Sequence, residues 1–269
     1  MRGALVAIAL AASATVSPTQ AVGSRGILFE NDGVWAMNSM GRNQERVTSG
    51  AATYDSASWS PGRLLLVVSR YQAEQRNYDL FVLQPSGEIV KRLTRTAASE
   101  RDAVWAPGGR WVAFERNGKV FLIDPDGSRL RRITPRDVTE SDPAWAPGGK
   151  RLAIVSDRRR SGDPMMFIVD RSGRTEKVVT DLGSAADIDW SRAGWLAYSY
   201  GGNRSGVLVL RPSGKHRHRV GRRSDSRPVW SPDGDHLLVW NQPSGVWKMQ
   251  KDGSGRVKLA DGMPLDWNH

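Results

Sequence analysis

Asp142-Pro143-Ala144-Trp145-Ala146-Pro147-Gly148-Gly149 is the stretch that decides the fold, because related versions of it recur along most of the 269-residue chain. In each version a tryptophan precedes a turn, usually rich in Pro and Gly, and these tryptophans are Trp59, Trp105, Trp145, Trp190 and Trp230. Trp267 adds a sixth, and subtraction of residue numbers gives spacings of 46, 40, 45, 40 and 37 residues. This period is typical of the blades of a β-propeller.

The sequence between consecutive tryptophans has the same order of elements in every unit. In the unit of Trp145, a short β-type run at residues 152–155 is followed by a second run at residues 166–169 and by a turn at Gly173. A last short strand closes each unit, as in Lys91-Arg92-Leu93-Thr94. No helical periodicity interrupts the pattern, so each unit is predicted to be an antiparallel blade of four strands.

The two ends of the chain each carry part of a unit. Residues 27–29 match a second strand, residues 34–37 a third and residues 46–48 a fourth, whereas residues 264–267 match a first strand that nothing follows. We therefore predict an all-β, six-bladed β-propeller of four-stranded antiparallel blades. The C-terminal strand joins the N-terminal blade and closes the ring, which removes exposed strand edges.

The repeat Asp-x-x-Trp-Ser/Ala-Pro-x-Gly resembles the repeat of the TolB-like propeller family, a relative of the Trp-Asp repeat. Asp102, Asp142 and Asp187 begin it in three units, whereas Ser56 and Arg227 stand in the same place in two others. The resemblance covers about residues 25–267. It implies a scaffold in an export compartment that presents a face to other proteins. We expect similarity to the propeller alone, without the N-terminal α/β domain of TolB, because the blades begin within a few residues of the leader.

The N-terminus has the pattern of a secretory signal peptide. Arg2 precedes an apolar run at residues 4–14, and Thr19-Gln20-Ala21 offers a small-residue cleavage site. We therefore predict a signal peptide at residues 1–21 and a propeller at residues 22–269, exported to the periplasm or the cell exterior. We predict no transmembrane segment after signal removal. An uncleaved membrane anchor and an Ala-rich tail are the alternatives.

Composition limits the chemistry of the chain. It contains no Cys, which excludes disulfides, thiolate catalysis and cysteine metal sites. The formal net charge is +11. Such a charge can serve binding to an anionic polymer or a membrane surface, or it can simply keep the protein soluble. Export makes nucleic acid the least favoured partner, and we predict that none is bound.

The residues that usually carry catalysis form no pattern in this sequence. The Gly-x-Ser-x-Gly motif is absent, and His216, His218 and His236 are predicted to be solvated turn residues. The repeated aspartates are predicted to fix the backbone of their own turns, with Ca²⁺ binding as the alternative. We therefore predict no catalytic, cofactor-binding or metal-binding residues, no cofactor, and a protein that is not an enzyme.

Arginines on the connections at one end of the blades are the candidate binding surface. Two long loops between second and third strands, residues 69–79 and residues 156–164, and a loop that leads into a first strand are predicted to lie on one face of the ring. Arginine suits carboxylate and phosphate recognition because its donors form a planar fork. The predicted partner-binding residues are Arg70, Arg76, Arg158, Arg159, Arg160, Arg222 and Arg223.

This face is predicted to bind another envelope or extracellular protein, or an anionic polymer. A solvated charge run without a partner is the alternative for the same arginines, and the Lys and Arg residues of the fourth strands are assigned to protection of the blade edges. The sequence thus predicts an exported, non-enzymatic scaffold for protein–protein interaction. The alternative is a propeller enzyme or binding protein that acts on an anionic polysaccharide.

Overall fold

The computed structural model describes residues 26–50, 52–158, 164–179, 185–201 and 205–267. Within these residues the chain forms six four-stranded antiparallel sheets, so the predicted β-propeller is confirmed. No helix long and apolar enough to cross a bilayer occurs in this part of the chain.

The strands alternate with short turns throughout. In chain order they are β1 (Ile27–Glu30), β2 (Val34–Met37), β3 (Glu45–Arg46), β4 (Tyr54–Trp59), β5 (Leu66–Gln72), β6 (Asn77–Leu83), β7 (Ile89–Arg92), β8 (Glu100–Trp105), β9 (Val112–Arg116), β10 (Val120–Ile123), β11 (Arg131–Arg132), β12 (Glu140–Trp145), β13 (Arg151–Ser156), β14 (Met165–Asp170), β15 (Thr175–Val178), β16 (Ala185–Trp190), β17 (Leu196–Tyr200), β18 (Gly206–Leu210), β19 (His218–Val220), β20 (Asp225–Trp230), β21 (His236–Asn241), β22 (Gly245–Gln250), β23 (Val257–Ala260) and β24 (Met263–Trp267).

Each blade runs from an inner strand at the ring axis to an outer strand at the rim. Blade 1 is β24-β1-β2-β3, and blades 2 to 6 are β4 to β7, β8 to β11, β12 to β15, β16 to β19 and β20 to β23. Because the strands are antiparallel, the turns from first to second and from third to fourth strands share one end of the ring, which we call the turn face. The second-to-third loops and the connections between blades share the other end, the loop face.

Blade 1 closes the ring as the sequence predicted. β24 pairs antiparallel with β1, with Ile27 opposite Trp267 and Leu28 opposite Asp266. The first and the last strand of the described residues therefore pair within one sheet.

The tryptophans at the ends of the inner strands fill the space between neighbouring blades. Trp145 is 6% exposed and packs with Ala106 and Leu122 of blade 3 as well as with Leu152 of its own blade. Trp230 is completely buried in a cluster that also contains Ala197 of blade 5. Burial of such large apolar surfaces between blades is the main attraction that holds the ring together.

Hydrogen bonds between the inner strands of neighbouring blades accompany this packing. In three blades the residue before the tryptophan accepts a hydrogen bond from the backbone N–H of the tryptophan in the next blade. Ser58 Oγ accepts from Trp105 at 3.1 Å, Asp189 Oδ2 from Trp230 at 2.6 Å, and Asp266 Oδ2 from Trp59 at 2.7 Å. These contacts fix the register between the inner strands of blades 1 and 2, of blades 2 and 3, and of blades 5 and 6.

One predicted long loop is instead a hairpin. β5 extends to Gln72 and β6 begins at Asn77, so that only residues 73–76 form the turn. The pairing continues because Tyr71 lies opposite Tyr78, and their rings meet edge to face at 5.2 Å between centroids. Arg70, expected on a loop, therefore lies in a strand.

We expect loss of the closing hydrogen bond to destabilise the ring. Asp266→Ala leaves the buried N–H of Trp59 without its acceptor, which should lower the free energy of unfolding by about 1–3 kcal/mol in urea denaturation. Asp266→Asn keeps a side-chain oxygen and should lose less. Glu88→Ala, on an exposed turn, is the control and should change stability by less than about 0.5 kcal/mol. Equal losses for Asp266→Ala and Glu88→Ala would contradict this account of closure.

Candidate functional site

The six inner strands enclose a cavity of about 150 Å³ on the ring axis. Its wall includes side chains from all six blades and reaches the turn face at Pro61, Pro107, Pro147 and Arg192. Every blade contributes to this common surface, so the cavity is the candidate functional site.

The fold directs one residue of each inner strand towards this cavity. Three positions before each tryptophan, the strands carry Ser56, Asp102, Asp142, Asp187, Arg227 and Pro264, all of which line it. At the three aspartates and the arginine the backbone is left-handed, with φ between 48° and 50°, and each strand pairing shifts register there. The resulting bulge re-aims the side chain, as bulges beside functional sites commonly do.

The cavity wall is acidic, although the chain as a whole is basic. Arg192 and Arg227 are the basic residues among those that line it. The acidic residues in the same wall are Asp55, Asp102, Asp142, Asp187, Asp189 and Asp266. A cation is therefore attracted into this site, whereas an anion meets carboxylates on most sides.

Most of these carboxylates are already engaged by the protein. Asp142 Oδ1 accepts a hydrogen bond from the backbone N–H of Asp187 at 2.9 Å, and its Oδ2 accepts one from Ser141 at 2.6 Å. Asp187 lies 3.8 Å from the guanidinium of Arg227. The expectation that each aspartate fixes its own turn was wrong for Asp142, because its carboxylate links two blades.

Asp55 is engaged in the same manner. It forms an ion pair with Arg101 at 2.9 Å and accepts a hydrogen bond from the backbone N–H of Asp102 at 3.2 Å. Sequence reasoning overlooked Asp55, Asp189 and Asp266, although two of them directly precede a repeat tryptophan, and that fixed offset could have identified them.

Asp102 is the exception in this wall. Its carboxyl group forms no hydrogen bond or ion pair with any residue in the described part of the chain. Burial raises the pKa of Asp102 well above its ordinary value, and the negative charge of Asp142 raises that pKa further. Asp55 and Glu115 act in the same direction, and Arg227 opposes them. Burial also raises the pKa of Asp142, with a further contribution from Asp187.

An unpaired carboxyl with a raised pKa can do one of two things in a cavity. It can accept a cationic group, which would offset the cost of its burial, or it can exchange a proton with a bound molecule. Asp102 is thus the carboxyl of this wall for which both options are open.

The predicted partner-binding arginines occupy several different environments. Arg158 forms an ion pair with the buried Glu140 at 2.5 Å, and its side chain is 15% exposed. Arg70 lies with its guanidinium 5.5 Å from the ring centroid of Phe81. Arg76, Arg222 and Arg223 are exposed on the loop face, and Arg159 and Arg160 lie outside the described residues.

These arginines do not form one cluster. Arg70 and Arg76 belong to blade 2, Arg158 to blade 4, and Arg222 with Arg223 to the connection that enters blade 6. Blades 2, 4 and 6 alternate around a six-membered ring, so the loop face presents separated basic points.

Arg158 belongs to a repeated pair of buried charges. In blades 3 and 4 the first residue of the inner strand is a completely or almost completely buried glutamate that pairs with an arginine at or just beyond the end of the second strand. The pairs are Glu100 with Arg116 at 2.6 Å and Glu140 with Arg158. Repetition of this kind indicates an architectural role, because removal of either partner leaves a buried charge unpaired.

The three predicted turn histidines lie at the turn face. His216 and His218 are exposed, with ring centroids 6.4 Å from that of Trp195, and His236 is at the start of β21. Among the described residues no group of three or more His, Asp or Glu side chains is placed to hold a metal ion together.

Comparisons with known proteins report the same architecture. No protein-family model and no curated protein sequence matches the chain. A TolB-type protein from Agrobacterium tumefaciens shares the fold with a TM-score of 0.69 and 19% identity, over 83% of this chain and 86% of that one. TolB from Acinetobacter baumannii does so with a TM-score of 0.71 and 16% identity, over 90% of this chain and 65% of that one. The TolB-like propeller fold predicted from the repeat is therefore confirmed.

Two further structures with this fold are enzymes. An oligogalacturonate lyase in complex with manganese has a TM-score of 0.59 and 15% identity, over 81% of this chain and 74% of that one. The corresponding lyase from Vibrio parahaemolyticus has a TM-score of 0.58 and 13% identity, over 78% and 68%. The prediction that this chain is not an enzyme was wrong as a conclusion from the fold, because it treated the propeller as a binding fold and lyases share that fold.

Neutralisation of Asp102 should stabilise the protein at neutral pH. The raised folded-state pKa means that its ionised form is disfavoured in the folded protein, so Asp102→Asn should increase the free energy of unfolding at pH 7 by on the order of 1 kcal/mol. The gain should shrink as the pH falls towards 3.8, the ordinary pKa of an aspartate. Near that pH the wild-type carboxyl becomes protonated in the unfolded chain as well as in the folded protein. Urea denaturation at several pH values measures both effects.

Asp187→Asn is the matched control for this prediction. Asp187 occupies the same position of its blade but faces Arg227, so its replacement should not stabilise the protein. A loss of stability in Asp102→Asn at pH 7 would contradict the unpaired state of that carboxyl.

Proposed function

We propose that this chain is an exported binding propeller whose central cavity receives a positively charged group of a protein partner, in the cell envelope or outside the cell. The observation that carries this proposal is the carboxyl of Asp102, which is unpaired among the described residues and faces an acidic cavity. A lysine side chain, an arginine side chain or a free amino terminus has the charge that is attracted by the carboxylates that make up most of the charged groups in this wall.

The size of the cavity supports a ligand of this kind. Sites for drug-sized molecules enclose about 300–1,000 Å³, whereas this cavity measures about 150 Å³. It suits one side chain or one chain terminus, held by a partner that rests on the turn face around it. Such an anchor in a desolvated pocket commonly supplies much of the affinity of a protein interface.

The compartment is part of the proposal. The charged start, the apolar run and the small-residue site within residues 1–21 support export, and the TolB-like repeat supports a role in the envelope. The partner is accordingly an envelope or extracellular protein, and nucleic acid is not among the ligands proposed.

The loop face is a second proposed contact surface. Arg76, Arg222 and Arg223 are exposed there, and Arg222 also lies 6.0 Å from the ring centroid of Trp247. We propose that they meet an acidic surface of a protein, or an anionic polymer, together with Arg70 and the run Arg158, Arg159 and Arg160. The ion pair with Glu140 holds Arg158 in place at the end of its blade's second strand.

Catalysis on an anionic polysaccharide is the second candidate function. The fold shared with oligogalacturonate lyases favours it, and the raised pKa of Asp102 suits proton transfer. The acidic cavity wall opposes it, because uronate carboxylates would be repelled there. Incubation with oligogalacturonate, followed by absorbance of the unsaturated product, distinguishes the two functions.

Binding of a protein partner should depend on Asp102. The chain spanning residues 22–269 is used to capture envelope proteins at moderate salt, the captured protein is identified and purified, and its affinity is measured by calorimetry. Because a hydrogen bond to a charged group contributes about 1.5–3 kcal/mol, Asp102→Asn should weaken binding by roughly tenfold to a hundredfold. Affinity should also fall as the pH decreases through the raised pKa of Asp102, since only the carboxylate attracts a cation.

The double variant Arg222→Gln, Arg223→Gln tests the loop face in the same assay. It should weaken a partner that engages that face and leave binding at the cavity unchanged. A purified partner that binds wild type and Asp102→Asn equally would contradict the role of the cavity, as would lyase turnover that Asp102→Asn abolishes.

A further inference from the structure

We propose that the turn face docks on the surface of an anionic lipid membrane, through one arc of blades in which exposed aliphatic side chains lie among Lys and Arg residues. This interaction goes beyond the binding of a protein partner and uses different residues. Two observations support it: the exposed aliphatic side chains lie on one face of the propeller, and basic residues lie next to them.

The exposed large hydrophobic residues of the described chain all lie at one end of the propeller. Each of them is in a turn of the turn face or at the beginning of an outer strand next to it. With their exposed fractions they are Met40 (63%), Leu64 (75%), Ile89 (47%), Val90 (53%), Leu130 (46%) and Val257 (54%). Isolated exposed aliphatics are ordinary, but their restriction to one face indicates a contact surface.

These side chains also occupy one arc of the ring. They belong to blades 6, 1, 2 and 3, which are consecutive because β24 closes blade 1 against blade 6. Neighbouring blades touch along this arc: Gln44 Nε2 donates to the carbonyl oxygen of Leu259 at 3.3 Å, and Lys91 Nζ donates to that of Asp126. The turns that carry the exposed positions therefore follow one another along consecutive blades, and we call this arc of the turn face the rim.

Basic residues accompany every apolar position of this rim. Val90 is followed by two of them, and Leu130 and Val257 each have one on either side. Met40 and Leu64 have one within two residues. The basic residues concerned are Arg42, Arg63, Lys91, Arg92, Arg129, Arg131, Arg132, Arg256 and Lys258. Four of them form ion pairs with aspartates, namely Arg92, Arg129, Arg256 and Lys258. The positive charge available to a membrane therefore comes mainly from the others.

The interface of an anionic bilayer matches this combination. Aliphatic side chains insert among the headgroups, while basic residues near the surface are attracted by the negative potential, each by a factor of about five in binding. A soluble polyanion would use the charges alone and would gain nothing from the aliphatic residues.

The chain enters the propeller at the same face. Gly26, the first described residue, lies beside the guanidinium of Arg63 in the first turn of blade 2. The preceding segment, with the apolar run at residues 4–14, is thus joined to the turn face.

This contact is compatible with access to the central cavity. In the described residues, blades 4 and 5 carry none of the exposed large hydrophobic side chains. A propeller that rests on blades 6, 1, 2 and 3 is tilted, and the cavity mouth at Arg192 in blade 5 stays accessible.

Vesicle co-sedimentation tests the proposal. The chain spanning residues 22–269 is mixed with vesicles of phosphatidylcholine, with and without phosphatidylglycerol. It should bind the anionic vesicles only. The triple variant Met40→Ser, Leu64→Ser, Leu130→Ser should bind at least about tenfold more weakly, because each buried methylene is lost from the interface. Circular dichroism checks that the exposed substitutions leave the fold unchanged.

Two double variants distinguish the effect of charges at the rim on vesicle binding from the effect of the overall net charge. Arg42→Gln with Arg132→Gln should weaken binding by about 25-fold, since each lost charge accounts for about fivefold. Arg95→Gln with Arg136→Gln removes the same charge from exposed sites of the loop face and should change binding less than about twofold.

Three results would overturn the proposal. One is the absence of binding to phosphatidylglycerol vesicles, and another is equal weakening by the two arginine pairs. The third is unchanged binding of the triple serine variant together with equal capture by soluble polygalacturonate, which would identify an anionic polymer as the ligand. Asp102→Asn should bind vesicles as wild type does, so failure here is distinguishable from failure of the cavity.

Discussion

The contact of each inner strand with the next blade is the constraint on which the rest of the structure depends. A four-stranded blade buries one face only when a neighbour covers it, and the tryptophan at the end of each inner strand fills that gap. The hydrogen bond from Trp59 to Asp266 makes the same contact across the junction of the chain ends. Closure of the ring then creates an axial cavity with walls set by residues at one fixed offset from each tryptophan.

Most of the fold could be predicted because the same sequence pattern recurs in every blade. The spacing of Trp59, Trp105 and Trp145, and the half-units at the two ends, specified six blades and their closure. The hairpin at residues 73–76 was missed because Tyr71 and Tyr78 extend β5 and β6 through a cross-strand ring contact. Periodicity describes what blades share, and this contact occurs in one blade.

The candidate site was less predictable because it depends on differences between equivalent positions. Asp102, Asp142 and Asp187 are alike in the sequence, yet Asp142 links two blades, Asp187 faces Arg227, and Asp102 has no partner in the described chain. Which of three repeated aspartates is unpaired follows from side-chain geometry that no sequence pattern encodes. The converse holds for Arg158. It is singular as part of a basic run, but its partner Glu140 is equivalent to Glu100, the buried partner of Arg116.

Burial makes the ionised carboxyl of Asp102 unfavourable, and a bound cation should offset this cost. Carbon-13 NMR of the Asp102 carboxyl, titrated against pH with and without a short peptide that contains one lysine, tests this relation. We expect a pKa well above the ordinary aspartate value in the free protein, and a decrease of that pKa when the peptide is bound. An ordinary pKa in the free protein, or a raised pKa that saturating peptide leaves unchanged, would contradict it.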